Sequence, residues 1–92
     1  MEGTYKAAKG LIRVKIETNL GKIRNIQIAG DFFMYPEDAL WDLEQTLVGV
    51  KTSREEILTE MKAFYKRTGV ITPGVIPEDF AEAVVRAVSD PV

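Results

Sequence analysis

The stretch Leu11-Ile12-Arg13-Val14-Lys15-Ile16-Glu17 puts Ile12, Val14 and Ile16 on one side of an extended chain and Arg13, Lys15 and Glu17 on the other. Side chains alternate across a strand with a period of two, so this segment reads as a strand with one buried face and one wet face. The chain must therefore build a sheet with an apolar layer beneath it. Thr18-Asn19-Leu20-Gly21 follows with turn chemistry, because Asn and Gly tolerate the positive φ that tight hairpins need. In Lys22 to Phe32, Ile26 and Ile28 share a face while Ile23 falls out of phase, which places a bulge near Arg24-Asn25. An antiparallel hairpin is predicted.

The rest of the chain carries helix signals. Pro36 suits a first helical turn, Glu37 and Asp38 suit the positive end of the helix dipole, and Leu40, Leu43 and Leu47 recur at helical spacing before Gly49. Thr52 with Glu55 and Ser53 with Glu56 form two overlapping capping-box patterns that open a second helix, with Ile57, Met61 and Phe64 inward and Gly69 at its end. Pro77-Glu78-Asp79 repeats the start chemistry for a third helix, whose inner face is Phe80, Val84 and Val88. Asp90-Pro91-Val92 is expected to fray. Between the last two helices, Val70-Ile71-Thr72-Pro73-Gly74-Val75-Ile76 is apolar yet holds two breakers, so it must tuck under the domain or be covered, and burial within the domain is the expectation. The expected core is Ile12, Val14, Ile16, Ile26, Ile28, Leu40, Leu43, Leu47, Ile57, Met61, Phe64, Phe80 and Val84.

Length and composition narrow the function. A chain of 92 residues has room for one domain, spanning 1–92, with one modest core. It contains no cysteine and no histidine, which removes disulfides, thiolate metal sites, thiol nucleophiles and the usual proton shuttle. Ser53 and Ser89 sit at expected helix ends, where capping or exposure explains them. The acidic pairs Glu55-Glu56 and Glu78-Asp79 fall at helix starts, which explains them better than a cation site does. No catalytic residue and no metal ligand is assigned. No run is long and apolar enough to span a bilayer, and no signal-peptide pattern opens the chain, so a soluble, cytoplasmic protein is expected.

The net charge of -2 hides an asymmetry: residues 1–30 hold six basic groups against Glu2 and Glu17, a net of +4, and the remainder carries -6. The overall sign argues against nucleic-acid binding. The basic residues Lys9, Arg13, Lys15 and Lys22 are either a solvated strand face that guards a sheet edge or a surface for an anionic partner. In Gly30-Asp31-Phe32-Phe33-Met34-Tyr35-Pro36, three aromatics surround one acid. Either Phe32 and Phe33 plug the core while Asp31 accepts bonds from nearby backbone N–H groups, or the loop faces a partner. Trp41 and Val48, one heptad apart and off the leucine stripe, pose the same choice.

Taken together, Lys9-Gly10-Leu11-Ile12-Arg13-Val14-Lys15-Ile16, Gly21, Ile26-Gln27-Ile28-Ala29-Gly30-Asp31-Phe32-Phe33 and the Leu43-Glu44 to Leu47-Val48-Gly49 helix resemble the C-terminal accessory domain of lipoate-protein ligases. The likeness runs from about Lys6 through the third helix. It departs at Tyr5-Lys6-Ala7-Ala8-Lys9-Gly10, which has one glycine where a pair is expected. It implies an α+β fold, a small antiparallel sheet packed on about three helices, similar to the iron-sulfur assembly scaffold. It further implies the stand-alone small subunit of a split, archaeal-type ligase, a heterodimer with a catalytic chain. ATP, magnesium and lipoate would act in the complex, none bound by this chain alone, and lipoyl-AMP would be made there before transfer to lipoyl domains of 2-oxoacid dehydrogenase or glycine cleavage proteins. Lys9, Arg13, Lys15, Lys22, Gly30, Asp31, Phe32, Phe33 and Trp41 are the residues expected to face the partner or to act as a lid. A lipoyl carrier with Lys22 at a hairpin tip would be all-β, which three sets of helix signals oppose. The alternative is a protein-binding adaptor unconnected with lipoate.

Overall fold

The computed structural model describes residues 1–89, so the expectation for Asp90-Pro91-Val92 lies outside the described residues. Strands β1 (Glu2–Ala7), β2 (Gly10–Asn19) and β3 (Lys22–Gly30) form an antiparallel sheet in the order β1-β2-β3. Helices α1 (Ala39–Leu47), α2 (Arg54–Thr68) and α3 (Pro77–Ser89) complete the expected α+β fold. One sheet face carries Ile12, Val14, Ile16, Ile23, Ile26 and Ile28, all buried. Beneath it, α3 crosses β1 and β2, α1 lies along β3, and α2 packs against both helices.

The predicted bulge exists and does specific work. Glu17 pairs with Asn25 but Thr18 pairs with Ile23, so Arg24 is the extra residue. Skipping one residue restores the phase of Ile23, which the alternation alone placed outside, and buries it at 1% exposure. At the hairpin tip the two positive-φ residues are Leu20 (φ 54°) and Gly21 (φ 76°), so the left-handed position falls on Leu20 and not on Asn19. Leu20 is also 93% exposed, so it bears left-handed strain with no packing in return. Leu20→Asn is therefore expected to stabilise the domain by about 0.5 to 1 kcal/mol in urea unfolding; a loss of stability would mean that the leucine makes a contact its exposure does not show.

The sheet has a further strand, and two other expectations, for Pro36 and Leu40, are corrected. Strand β1 was not legible as a strand, because its inward positions are Gly3, Tyr5 and Ala7 and not a β-branched run. A Cβ on Gly3 would lie 2.4 Å from the Ala87 backbone nitrogen, so the small residue is what lets α3 approach β1. Pro36 is not in the first turn of α1. The Tyr35–Pro36 peptide is cis and the helix starts at Ala39, whose N–H donates to the Pro36 carbonyl at 3.0 Å. Leu40, off the Ala39, Leu43 and Leu47 face that α1 buries, is only half-buried, whereas every other residue of the expected core is buried. Gly49 (φ 89°) follows the Val48 cap and sends its N–H to the Ile23 carbonyl at 2.7 Å, closing the β3 edge.

The remaining helix ends follow the sequence chemistry. Ser53 caps α2 by accepting from Glu56 N–H at 3.3 Å, while Thr52 instead latches the hairpin through Gly21 O. Gly69 ends α2 in the left-handed conformation. Asp79 accepts from Ile76 N–H at 2.9 Å at the start of α3, and Glu78 pairs with Lys62 at 3.8 Å. Glu82 joins the helices by receiving Arg54 and Arg86, and these two guanidinium groups hold its carboxyl below the usual range. The 70–76 segment is half covered: Val70, Thr72 and Val75 are buried, Ile71 and Ile76 are exposed. Thr72 donates to Val75 O at 2.7 Å and so receives the Tyr65 hydroxyl at 2.7 Å, leaving no buried side-chain polar atom without a partner among the described residues.

Candidate functional site

The covered face of the sheet leaves the other face open. Its rows across the strands are Thr4, Arg13 and Ala29, then Glu2, Lys15 and Gln27, and all six are exposed. Lys15 is paired with Glu2 at 3.6 Å, both groups largely in solvent, so the pair contributes little stability. Arg13 makes no ion pair among the described residues. Lys9 and Lys22 stand at opposite ends of β2, roughly 30 Å apart at 3.3 Å per residue, so the four expected cations form no single cluster.

At the Lys9 end the backbone is tightly fitted. A Cβ on Gly10 would lie 2.5 Å from Asp31 O, and one on Gly74 would lie 2.4 Å from Lys9 Cβ. Gly30 (φ 150°) is the extreme case, since its Cβ would fall 1.9 Å from Leu11 O. That same carbonyl accepts the Asp31 N–H at 2.8 Å. Gly30 thus turns the chain off the end of β3 and fixes where Asp31, Phe32 and Phe33 begin.

The two phenylalanines then divide. Phe32 turns inward and meets the Phe80 ring edge-on at 5.3 Å, so it is a core plug. Phe33 turns outward and is 68% exposed, stacked on Tyr35 at 6.4 Å with the rings parallel to within 2°. The Asp31 carboxylate is exposed and accepts no hydrogen bond among the described residues, so of the two readings of this loop the one in which it holds backbone N–H groups does not apply. Trp41 stands on α1, 65% exposed, and Val48 is 44% exposed.

One functional-looking contact was missed by the sequence. Glu44 on α1 accepts the Ile28 N–H at 2.6 Å, a charged acceptor plugged into the outer edge of β3. Its position one residue from the leucine stripe is ordinary for a solvated helix face, so only the packing of α1 on β3 reveals it. Among the described residues no three acidic side chains converge on one point. No helix among them is long and apolar enough to cross a membrane.

The family model described as the bacterial lipoate protein ligase C-terminus matches residues 2–84. The chain is 50% identical over 80 residues to lipoate-protein ligase A subunit 2 of Thermoplasma acidophilum, covering 87% of this chain and 82% of that relative. It superposes with a TM-score of 0.84 and 46% identity on a chain in the structure of a bi-partite lipoate protein ligase and its E2 lipoyl domain from the same organism, over 91% of this chain and 92% of the other.

Proposed function

The chain belongs to the lipoate protein ligase C-terminal family, and from that membership we propose that it is the non-catalytic small subunit of a two-chain, cytoplasmic lipoate-protein ligase. The observation that carries this reading is the 50% identity over nearly the whole domain to a relative that is itself a second subunit. The chemistry agrees with it: the chain has no histidine or cysteine, and among the described residues no three acidic side chains converge to hold a metal ion. ATP, magnesium and lipoate are therefore assigned to the catalytic chain, which would be the heterodimer partner. Lipoyl domains of 2-oxoacid dehydrogenase or glycine cleavage proteins would be transient partners.

Activation is the step that needs a second chain most. The lipoate carboxylate forms a bond to the α-phosphorus of ATP while the bond to pyrophosphate breaks, so two anions must be brought together out of water. Fixed positive groups and a closed, positioned site lower that barrier. The open sheet face with Arg13 and Lys15, with Lys9 at its end, is the candidate lid surface. Transfer differs. The lysine amine of a bulky lipoyl domain forms an amide with the acyl carbonyl and AMP leaves, so the lid must move aside.

The test supplies the catalytic chain with either ATP plus lipoate or preformed lipoyl-AMP, with and without this subunit, and follows lipoylation of an acceptor domain. Dependence of at least about 100-fold is expected in the first case, the scale of effect that misplacing reacting groups produces, and only weak dependence in the second. Equal dependence in both would overturn the lid account and leave a general stabilising role.

A further inference from the structure

Large exposed apolar side chains gather where the chain leaves β3. Phe33 and Tyr35 stack on each other, and Tyr35 is bridged to Ile71 by backbone bonds of 2.9 and 3.0 Å in each direction. Residues directly opposite in an antiparallel bridge point to the same side, as do residues two apart in an extended chain, so these three side chains share one face. Their exposures are 68%, 50% and 61%. A groove between the end of β3 and α1 is lined by Ala29, Phe33, Tyr35, Glu37 and the half-buried Leu40. Trp41 is the next residue of α1, about 100° further around the helix and outside the groove lining, and it is 65% exposed. Isolated exposed apolar residues are ordinary, but a stacked Phe and Tyr at a groove, with a Trp exposed beside it, have the composition of an interface centre.

The rim is acidic. Glu37 lines the groove, Asp38 and Asp42 flank Trp41 on the side away from Leu40, and Asp31 begins the loop. None of these four carboxylates makes an ion pair among the described residues. The patch lies apart from Leu20 and Lys22, at the other end of the sheet.

We infer that the Phe33, Tyr35, Ile71, Leu40 and Trp41 patch is the standing docking site for the catalytic subunit, and that the catalytic subunit meets it with an apolar centre ringed by Lys and Arg. The inference rests on the two-chain reading above and names the surface that such a complex uses. Three arguments select this occupant. An aromatic, weakly polar centre fits a lasting subunit contact better than a transient visit by a lipoyl domain, since lasting interfaces are the more apolar ones. A second copy of this chain would set four carboxylates against four more, and like-charge juxtaposition opposes it. The basic sheet face is left free, so the subunit stays attached through one surface while the other closes and opens.

The experiment titrates the matching catalytic subunit with the full-length chain by calorimetry at low and high salt, and runs sedimentation of each chain alone. Wild type should bind, more weakly as salt rises. Phe33→Ser and Trp41→Ser should each weaken binding by about 30-fold or more, the range of interface hot spots, with an unchanged melting temperature because both side chains are exposed. Asp42→Lys should slow association and remove part of the salt dependence. Leu20→Ser, an equally apolar and exposed change at the far end, should bind like wild type. Tight binding by wild type and by both aromatic variants alike would overturn the docking assignment while leaving the two-chain reading intact. No binding by wild type would sink that reading and the assignment with it. A dimer of the isolated chain that Phe33→Ser and Trp41→Ser dissolve would make the occupant a second copy and overturn the inference.

Discussion

Gly30→Ala is expected to cost at least about 3 kcal/mol, a large part of the roughly 5 to 10 kcal/mol that holds a domain of this size together. Two penalties add at this one atom. The backbone sits at φ 150°, a region L side chains rarely enter, and the new methyl would lie 1.9 Å from the Leu11 carbonyl oxygen. Relief would require moving backbone against backbone, and Leu11 O cannot retreat without losing the Asp31 N–H it accepts and disturbing the Ile12 to Gly30 register. Gly21→Ala separates the two penalties. Its φ is 76° but nothing lies within 4 Å of the added Cβ, so it should cost only about 1 to 2 kcal/mol of left-handed strain. Urea unfolding of both variants checks the pair. A Gly30→Ala loss no greater than that of Gly21→Ala would mean that the β3 end relaxes freely, and the fixed placement of the Asp31-Phe32-Phe33 loop would fall with it.

Those two glycines also mark how far the sequence could be read. A glycine in a turn signal such as Leu20-Gly21 is legible because turn chemistry is local, although the assignment of positive φ to Asn19 failed since the turn begins one residue later. Gly30 looks like an ordinary strand end until Leu11, distant in sequence, is seen against it. The strands β2 and β3 and the ends of α2 and α3 were legible for the same local reason: alternation, caps and breakers act over a few residues. Strand β1 was hidden because what it needs is closeness to α3, which Gly3 and Ala87 provide without any hydrophobic pattern.

The candidate surface was legible in kind and not in arrangement. Asp31, Phe33 and Trp41 were expected to meet a partner, and the structure leaves all three exposed. Phe32 carried the same expectation and instead turns inward, half-buried against the core with its ring edge-on to Phe80, a difference of one position along the chain. Tyr35 and Ile71 join the patch through a backbone bridge between segments 36 positions apart, for which sequence holds no signal. Lys9, Arg13, Lys15 and Lys22 are spread over one face and the two ends of the sheet.

Leu43→Ala is expected to cost about 2 to 5 kcal/mol, the range for truncating a fully enclosed leucine, because the side chain is 0% exposed and the cavity left behind cannot fill by local collapse. The effect should concentrate on α1. That helix has nine residues, shorter than an isolated helix can sustain in water, so its helicity depends on docking. Its buried anchors are Ala39, Leu43 and Leu47, with Leu43 in the middle, and Asp38 adds no side-chain cap. Without that anchor α1 should open below the global unfolding energy, releasing Glu44 from the Ile28 N–H and moving Leu40 and Trp41 from their places beside the end of β3. Amide exchange in Leu43→Ala should therefore accelerate in α1 well beyond α2, whose Ile57, Met61 and Phe64 remain enclosed. The variant should also bind the catalytic subunit more weakly although residue 43 touches no surface, since part of the binding energy must then re-form the helix. Saturating subunit should in turn recover stability, by about 2.7 kcal/mol at a hundredfold excess over the dissociation constant. A destabilisation below about 1 kcal/mol, or exchange that rises equally in α1 and α2, would show that α1 is held by contacts other than this side chain.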